Sequence, residues 1–225
     1  MLVVSAYHVR EPLPQANFLF SFIWNFISWK GKSDLPRGVE MEVGVKQIKL
    51  YGLGGQGVVT AAKVFAKAVA LGENKNALSV PAYGHERRGA PVYSDLIISD
   101  EPILMRTFVY DPDVVVVFDL SVLEKGVDIM AGTKPDTMFV INNPDAYPEG
   151  PFGKDQKVMF VDARKISLDT LKLDIPNTTM LGAMAGAGLC SLRAVQDAIV
   201  STFGSKRGAI NSQCAERGHN ELKGN

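Results

Sequence analysis

Alternating and continuous runs of apolar residues predict the main secondary structure of the chain from residue 46 onward. Residues 46–53 (KQIKLYGL) alternate polar and apolar positions as a half-buried strand does, and they lead directly into a group of glycines. Residues 57–72 are rich in Ala and Val at helical spacing, with Gly72 placed to end the helix. Residues 76–81 predict a second short strand. This order of strand, glycine loop, helix and strand is the unit that starts a parallel sheet.

Further strands are predicted in the middle of the chain. Residues 92–99 and 102–108 flank a polar pair and predict a β-hairpin. The run 113–119 (DVVVVFD) is continuously apolar between its end residues, as expected of a strand that is buried on both faces. Residues 137–143 and 157–163 predict two more core strands.

The chain from residue 178 onward has helical patterning, and Ser191 is placed to cap one of the helices there. The whole pattern predicts an α/β fold in three layers, with a mostly parallel sheet, a Rossmann-like β–glycine loop–α start and a helical C-terminus. We place the domain boundary near residue 45, where loop composition gives way to the first strand. Residues 46–225 then form the main domain, and residues 1–45 form an N-terminal extension.

The extension has a composition unlike that of the main domain. Residues 17–29 (NFLFSFIWNFISW) form a dense aromatic run that contains both tryptophans. This run is shorter than the roughly 20 apolar residues of a membrane span, and it lacks the basic start and the cleavage site of a signal peptide. Three interpretations stay open: an interfacial amphipathic helix, an arm that docks a partner, or a disordered or non-native segment. We favour the third, with translation starting at Met41, because Met41 lies just before the first strand.

Composition and charge argue against several classes of function. The chain is 46% hydrophobic and 21% charged, and its 24 Lys and Arg residues balance its 24 Asp and Glu residues. This balance gives no electrostatic basis for binding nucleic acid or a membrane surface. The two cysteines, Cys190 and Cys214, are too few and too scattered for a structural zinc site or an iron–sulfur cluster. We therefore expect no metal in this chain, two reduced thiols and a cytoplasmic location.

The glycines after the first strand, Gly52, Gly54 and Gly57, have the spacing of a dinucleotide-binding loop. In such loops the first glycine allows a tight turn, the second lets the backbone approach a ligand, and the third permits close packing of helix and strand. The helix that follows offers free N–H groups and a partial positive charge to an anion. Gln56 and Thr60 are polar groups beside these amides. They are placed to contact a phosphate or a neighbouring chain, or simply to cap the helix.

A nicotinamide or flavin site also requires an acidic residue at the tip of the second strand. Glu73 and Glu86 lie to either side of that strand, and neither sits at its tip. This weighs against NAD or FAD. A P-loop is excluded as well, because Lys63 comes six residues after the last glycine and no Ser or Thr follows it.

A second polar group follows the second strand, at the carboxyl edge of the sheet, where ligands bind in open α/β folds. Arg87 and Arg88 are adjacent in a loop bounded by glycine and proline. Such a pair suits phosphate recognition or a charged subunit interface. A solvated loop in which Glu86 pairs with an arginine is the simpler alternative. His85 has no second catalytic group beside it, so the sequence predicts no catalytic residue.

Four segments resemble, in this order, the gamma subunits of the 2-oxoacid:ferredoxin oxidoreductases. They are GLGGQGVVTAAK, PAYGHERRGAPVYSDLIISDEPI, PDVVVVFD and PNTTMLGAMAG. The resemblance spans about residues 46–223 and is closest to the pyruvate enzymes (pyruvate synthase), because ERRGAPV points to pyruvate or branched-chain members. A branched-chain 2-oxoacid:ferredoxin oxidoreductase gamma subunit is the alternative within the family. A stand-alone dinucleotide-binding oxidoreductase is the alternative outside it.

The resemblance implies a subunit of an enzyme that converts pyruvate, coenzyme A and oxidised ferredoxin to acetyl-CoA, CO₂ and reduced ferredoxin. It implies alpha, beta and delta-type partner chains, with ferredoxin reached through the complex. Thiamine diphosphate with Mg²⁺ would lie between alpha and beta, and iron–sulfur clusters would lie largely on delta. The gamma chain would hold no cofactor itself and would be inactive alone.

The resemblance also assigns the gamma chain to assembly of the complex and to the coenzyme A side of the reaction. The two loops would then contact coenzyme A or a neighbouring subunit, and an assembly module whose glycine loop contacts only protein stays open. The predicted binding residues are Gly52, Gly54, Gly55, Gln56, Gly57, Thr60, Tyr83, Arg87, Arg88 and Gly89.

Overall fold

The computed structural model describes residues 5–7, 44–82, 87–147 and 150–224. The strands are β1 (Ser5–Tyr7), β2 (Lys46–Leu53), β3 (Asn76–Ala82), β4 (Pro91–Ser99), β5 (Val114–Val117), β6 (Met138–Asn142), β7 (Val158–Val161) and β8 (Lys223–Gly224). The helices are α1 (Val58–Gly72), α2 (Ala163–Leu171), α3 (Asn177–Gly186), α4 (Leu192–Phe203) and α5 (Ser205–Asn220), with a 3₁₀ helix at Leu120–Val122.

The strands form one sheet in the order β1-β3-β4-β2-β5-β6-β7-β8. Strands β2, β5, β6 and β7 are parallel neighbours, and the remaining strands join them by antiparallel pairing. The predicted α/β class is confirmed. The predicted β–α–β unit is also present, since β2 and β3 run in the same direction. However, β4 lies between them and pairs antiparallel with both.

Strand β4 corrects the predicted hairpin, because residues 102–108 do not form a strand. Both edges of β4 are already occupied, by β2 on one side and by β3 on the other. The irregular segment after β4 is instead anchored at Val109. The Val109 N–H donates to Asp95 Oδ2 over 2.9 Å, and Lys49 Nζ donates to the Val109 carbonyl over 2.7 Å.

The core lies on both faces of the central strands, as the apolar run of β5 predicts. All four valines of β5 are buried. Val114 and Val116 pack in the larger core cluster, with apolar side chains of α1, α3 and α4, whereas Val115 and Val117 pack in a second cluster on the opposite face. Helix α1 contributes to the larger cluster because its Ala, Val and Phe residues recur at helical spacing along one side.

Helices α3 and α5 pack closely against each other through small residues. A side chain at Gly182 would collide with the Ala215 carbonyl of α5, and one at Gly218 would collide with the Thr179 carbonyl of α3. The predicted cap of α4 is confirmed, since Ser191 Oγ accepts from the Ala194 N–H over 3.3 Å.

The structure describes only β1 within the first 43 residues. Strand β1 pairs antiparallel with β3, with Ser5 opposite Ser79 and Tyr7 opposite Ala77. The aromatic run at 17–29 and Met41 lie outside the described residues, so the nature of the extension and the domain boundary stay predictions. Within the part of the chain that the structure describes, no helix is long and apolar enough to cross a membrane.

Candidate functional site

A cavity of about 380 Å³ opens at the carboxyl end of β2, between the glycine loop, the first turn of α1 and the loop before β4. The structure therefore brings together the two loops that the sequence singles out. The predicted residues that line the cavity are Gly54, Gly55, Gly57, Thr60, Arg87 and Arg88. Tyr83 lies outside the described residues.

The glycine loop turns sharply after β2. The Gln56 N–H donates to the Leu53 carbonyl over 3.1 Å, which closes a turn with Gly54 and Gly55 at its tip. Gly55 has φ +100° and Gly57 has φ +78°, so both occupy the left-handed region that glycine tolerates best. The Gly57 carbonyl accepts from the Ala61 N–H over 2.8 Å and starts α1. The backbone thus delivers the N-terminus of α1 directly to the cavity.

Main-chain hydrogen bonds hold the two loops together. The Gly54 N–H donates to the Ala90 carbonyl over 2.8 Å, and the Gly89 N–H donates to the Gly54 carbonyl over 3.0 Å. A Cβ atom at Gly54 would collide with the Arg87 carbonyl, so this close approach requires glycine. Gly89 does not line the cavity, but it joins the loop of Arg87 to the glycine loop.

The charge around the cavity is positive. Arg87 and Arg88 are exposed, and neither forms a salt bridge with any described residue. The first amides of α1 have no carbonyl partner within the helix and point out of its N-terminus. The described lining contains no carboxylate. This arrangement can bind an anion, because guanidinium groups and helix N-termini are both good phosphate ligands.

Gln56 and Gly52 do not line the cavity. Gln56 Oε1 accepts from the Leu53 N–H over 2.8 Å, and Gln56 Nε2 donates to Asp119 Oδ2 over 2.6 Å. Both ends of the Gln56 amide are therefore engaged within the protein. Gly52 lets α1 pack on the sheet, since a Cβ there would lie 2.7 Å from Val58 Cγ2 and 2.9 Å from Phe118 Cβ.

Sequence reasoning missed two residues that shape this site, Asp119 and Asn177. Asp119 directly follows β5, and its Oδ1 accepts from the Ser121 N–H over 3.0 Å. Asn177 starts α3 and lies under Gly57, where an added Cβ would be 2.6 Å from Asn177 Nδ2. The position of Asp119 after a buried parallel strand was the available signal, because such strand ends meet at one edge of the sheet.

Glu73 does not line the cavity; its side chain instead accepts hydrogen bonds at the start of α4. Its Oε1 accepts from the Ser191 N–H over 2.9 Å at the start of α4. Hydrogen bonds from Ser191 lower the pKa of the Glu73 carboxyl. Glu73 thus stabilises the far end of α1 and does not reach the tip of β3.

Neither cysteine is among the residues that line the cavity. Burial, followed by the charge of Glu73, raises the pKa of the Cys190 thiol to about 12, and burial raises the pKa of Cys214. Among the described residues, no group of three or more His, Cys, Asp and Glu is arranged to hold a metal ion. The described lining offers main-chain amides, the Thr60 hydroxyl and two guanidinium groups, and it contains no thiolate and no carboxylate.

Comparison with known proteins matches residues 47–221 to a family model described as pyruvate ferredoxin/flavodoxin oxidoreductase. The chain is 43% identical over 173 residues to the pyruvate/ketoisovalerate oxidoreductases common subunit gamma of Pyrococcus abyssi, covering 75% of this chain and 92% of that protein. It is 41% identical over 177 residues to the pyruvate synthase subunit PorC of Methanocaldococcus jannaschii, covering 78% and 96%.

Solved structures share the fold. The pyruvate oxidoreductase subunit PORC of Thermotoga maritima matches with a TM-score of 0.69 and 33% identity, over 80% of this chain and 98% of that chain. The 2-oxoglutarate:ferredoxin oxidoreductase of Magnetococcus marinus, solved with 2-oxoglutarate, coenzyme A and succinyl-CoA bound, matches with a TM-score of 0.65. That match has 19% identity and covers 78% of this chain and 30% of the longer one, so it shows the fold alone.

Proposed function

Because this chain belongs to the pyruvate ferredoxin/flavodoxin oxidoreductase family as a gamma-type subunit, we propose that it is the gamma subunit of a multi-subunit pyruvate:ferredoxin oxidoreductase. The complex would convert pyruvate, coenzyme A and oxidised ferredoxin to acetyl-CoA, CO₂ and reduced ferredoxin. The resemblance to pyruvate synthase subunits supports pyruvate as the substrate. A relative named as common to pyruvate and ketoisovalerate enzymes supports a second candidate, in which the same chain also serves a branched-chain 2-oxoacid enzyme.

The cavity carries the proposal that this chain acts on the coenzyme A side of the reaction. Coenzyme A has a diphosphate and a ribose phosphate, and the cavity combines Arg87, Arg88 and the N-terminus of α1 with no carboxylate in its described lining. Arginine forks bind phosphate oxygens bidentately, and helix amides add further donors. Holding the phosphates here would fix one end of coenzyme A while its thiol reaches an acyl group on another chain.

The cofactors of the complex are assigned to the partner chains. An iron–sulfur cluster needs several thiolates, whereas the described residues offer two cysteines whose burial keeps them protonated. Thiamine diphosphate, Mg²⁺ and the clusters would therefore sit on alpha, beta and delta-type chains, and ferredoxin would be reached through them. We also propose a cytoplasmic location for the complex, since thiols stay reduced there.

An exposed apolar segment supports the requirement for partner chains. Leu104 is 91% exposed, Met105 74% and Tyr110 71%, all within the irregular segment between β4 and β5. We take this segment as a candidate contact surface, because exposed apolar side chains that form a contiguous patch mark interaction sites. The isolated chain is therefore expected to be incomplete.

The deciding experiment measures the Michaelis constant for coenzyme A in the assembled enzyme. Arg87→Ala and Arg88→Ala are each expected to raise it about tenfold or more, since a charge-assisted hydrogen bond contributes about 1.5–3 kcal/mol. The values for pyruvate and kcat should change little. Arg193→Ala is the matched control, because Arg193 is an exposed arginine of α4 that pairs with Asp197 over 3.0 Å and does not line the cavity. Unchanged coenzyme A constants in both test variants would leave the arginines as interface residues.

A further inference from the structure

Asp119 reaches the glycine loop through the side chain of Gln56. Gln56 Nε2 donates to Asp119 Oδ2 over 2.6 Å, while Gln56 Oε1 accepts from the Leu53 N–H over 2.8 Å. The other carboxylate oxygen of Asp119 accepts from the Ser121 N–H over 3.0 Å, which fixes the carboxylate at the start of the 3₁₀ helix. Gln56 and Asp119 are both partly buried, so these bonds are partly shielded from water.

The turn that Gln56 closes has no side chains to hold its tip. Its two tip residues are Gly54 and Gly55, and glycine is the most flexible residue in a loop. In front of the tip, Gly54 exchanges two main-chain hydrogen bonds with the Arg87–Ala90 loop. Behind it, the Gln56 side chain adds a second hydrogen bond to Leu53 beside the main-chain bond that closes the turn. The same side chain also donates to Asp119. The geometry of the tip therefore depends on these two supports.

We propose that Asp119, acting through Gln56, is the positioning residue that holds the Gly54–Gly55 turn in its anion-binding geometry. Neither Asp119 nor the Gln56 side chain touches the anion. This inference deepens the proposed function, since it takes the anion to be a phosphate of coenzyme A. A loop that is held in its bound shape before the ligand arrives binds more tightly, because less ordering accompanies binding.

The direction in which Asp119→Asn changes the affinity for the anion distinguishes a positioning role from a purely electrostatic one. The negative charge of Asp119 behind an anion cavity by itself disfavours an anion. If charge were the whole role, Asp119→Asn would tighten binding. If Asp119 positions the turn, the same substitution weakens binding, because an amide has one oxygen in place of two and cannot accept from Gln56 and Ser121 in the same geometry.

A matched pair of exchanges sharpens the test. Gln56→Glu alone places two carboxylates at the contact that now measures 2.6 Å, and they repel. Combining Gln56→Glu with Asp119→Asn restores the contact with donor and acceptor exchanged. The carboxylate then at position 56 still accepts from the Leu53 N–H, and the net charge equals that of the wild type.

Two readouts are measured for the two single variants and the double variant. The first is the Michaelis constant for coenzyme A in the assembled enzyme, and the second is the exchange rate of the Leu53 amide in the full-length chain by NMR. Each single variant is expected to raise the constant about tenfold with kcat within about twofold, and to speed amide exchange about tenfold. The double variant is expected to recover most of both changes. If Gln56→Glu fails to assemble, the sign of the Asp119→Asn effect still decides.

If Arg87→Ala and Arg88→Ala raise the coenzyme A constant, an unchanged or lower constant for Asp119→Asn, or a double variant no better than the singles, overturns the inference. Failure of the proposed function looks different, because Arg87→Ala and Arg88→Ala would then leave the coenzyme A constant unchanged. In that case, recovery of Leu53 amide protection in the double variant still supports positioning of the turn. If the Leu53 amide is equally protected from exchange in the wild type and in all variants, the positioning role is rejected.

Discussion

Gly57 lies directly over the side chain of Asn177, and the space between them admits no additional carbon. A Cβ atom at Gly57 would be 2.6 Å from Asn177 Nδ2 and 3.2 Å from Asn177 Cβ. Gly57 is also the N-cap of α1 with φ +78°, a conformation that strains residues with side chains. The first turn of α1, and with it the cavity, is therefore seated on the start of α3.

Gly57→Ala is expected to destabilise the full-length chain by about 2–5 kcal/mol, combining left-handed strain with overlap against Asn177. Gly126→Ala is the matched control. Gly126 has φ +77° but nothing lies within 4 Å of an added Cβ, so only the strain applies there, about 1–2 kcal/mol. Urea unfolding of both variants measures the difference. Equal losses would show that the contact with Asn177 is not tight.

Asp95 is expected to give the chain a distinctive pH dependence of stability. Its side chain is fully buried, 3.7 Å from Lys49 Nζ, and burial raises the pKa of its carboxyl. The native state then holds the Asp95 proton more tightly than the unfolded state, so this group's contribution to stability falls as pH rises from about 4 through the raised pKa. Asp95→Asn removes that loss, and its stability relative to the wild type should increase over the same interval.

Unfolding in urea across acid to neutral pH tests the expectation for Asp95. Asp100→Asn serves as the control, because Asp100 pairs with Lys75 at the surface over 3.0 Å and such pairs contribute less than about 1 kcal/mol. A difference between Asp95→Asn and wild type that does not change with pH would mean that the pKa of Asp95 is the same in the native and unfolded states, and a change in the opposite direction would mean that folding lowers it.

Cys190 is expected to resist alkylation in the native chain. The thiolate is the reactive form, and raising the pKa from 9.0 to about 12 lowers the thiolate population roughly a thousandfold at pH values below 9.0. Iodoacetamide at mildly alkaline pH, followed by mass spectrometry, should label Cys190 only after urea unfolds the chain. Rapid labelling before unfolding would show that burial and the charge of Glu73 do not suppress the reactivity of the Cys190 thiol.

The isolated chain is expected to lack oxidoreductase activity. Purified alone, it should reduce no dye with pyruvate and coenzyme A, whereas a tagged copy expressed in its own cells should retrieve thiamine-binding and ferredoxin-like chains together with that activity. Activity of the pure single chain would refute its assignment as a subunit without a catalytic site.

The sequence predicts the meeting of the two loops at one edge of the sheet, because both follow strands that run in the same direction. It also predicts the burial of β5 on both faces from an unbroken apolar run. The orientation of Gln56 could not be predicted, since its partner Asp119 is 63 residues away along the chain. The prediction that residues 102–108 pair with β4 in a hairpin was wrong for a similar reason. The sequence pattern of β4 indicates a strand, but it does not indicate which strands pair with its two edges.

Strand β1 has a consequence for solubility. An unpaired edge strand exposes a row of main-chain donors and acceptors that other chains can extend into an aggregate. In the described residues, Ser5–Tyr7 occupies the outer edge of β3. A chain beginning at Met41 would lack that cover and would need another strand, from a subunit or from a second copy, to protect the same edge. Comparing the aggregation of full-length and 41–225 chains would therefore show whether the first residues protect the edge of the sheet from pairing with other chains.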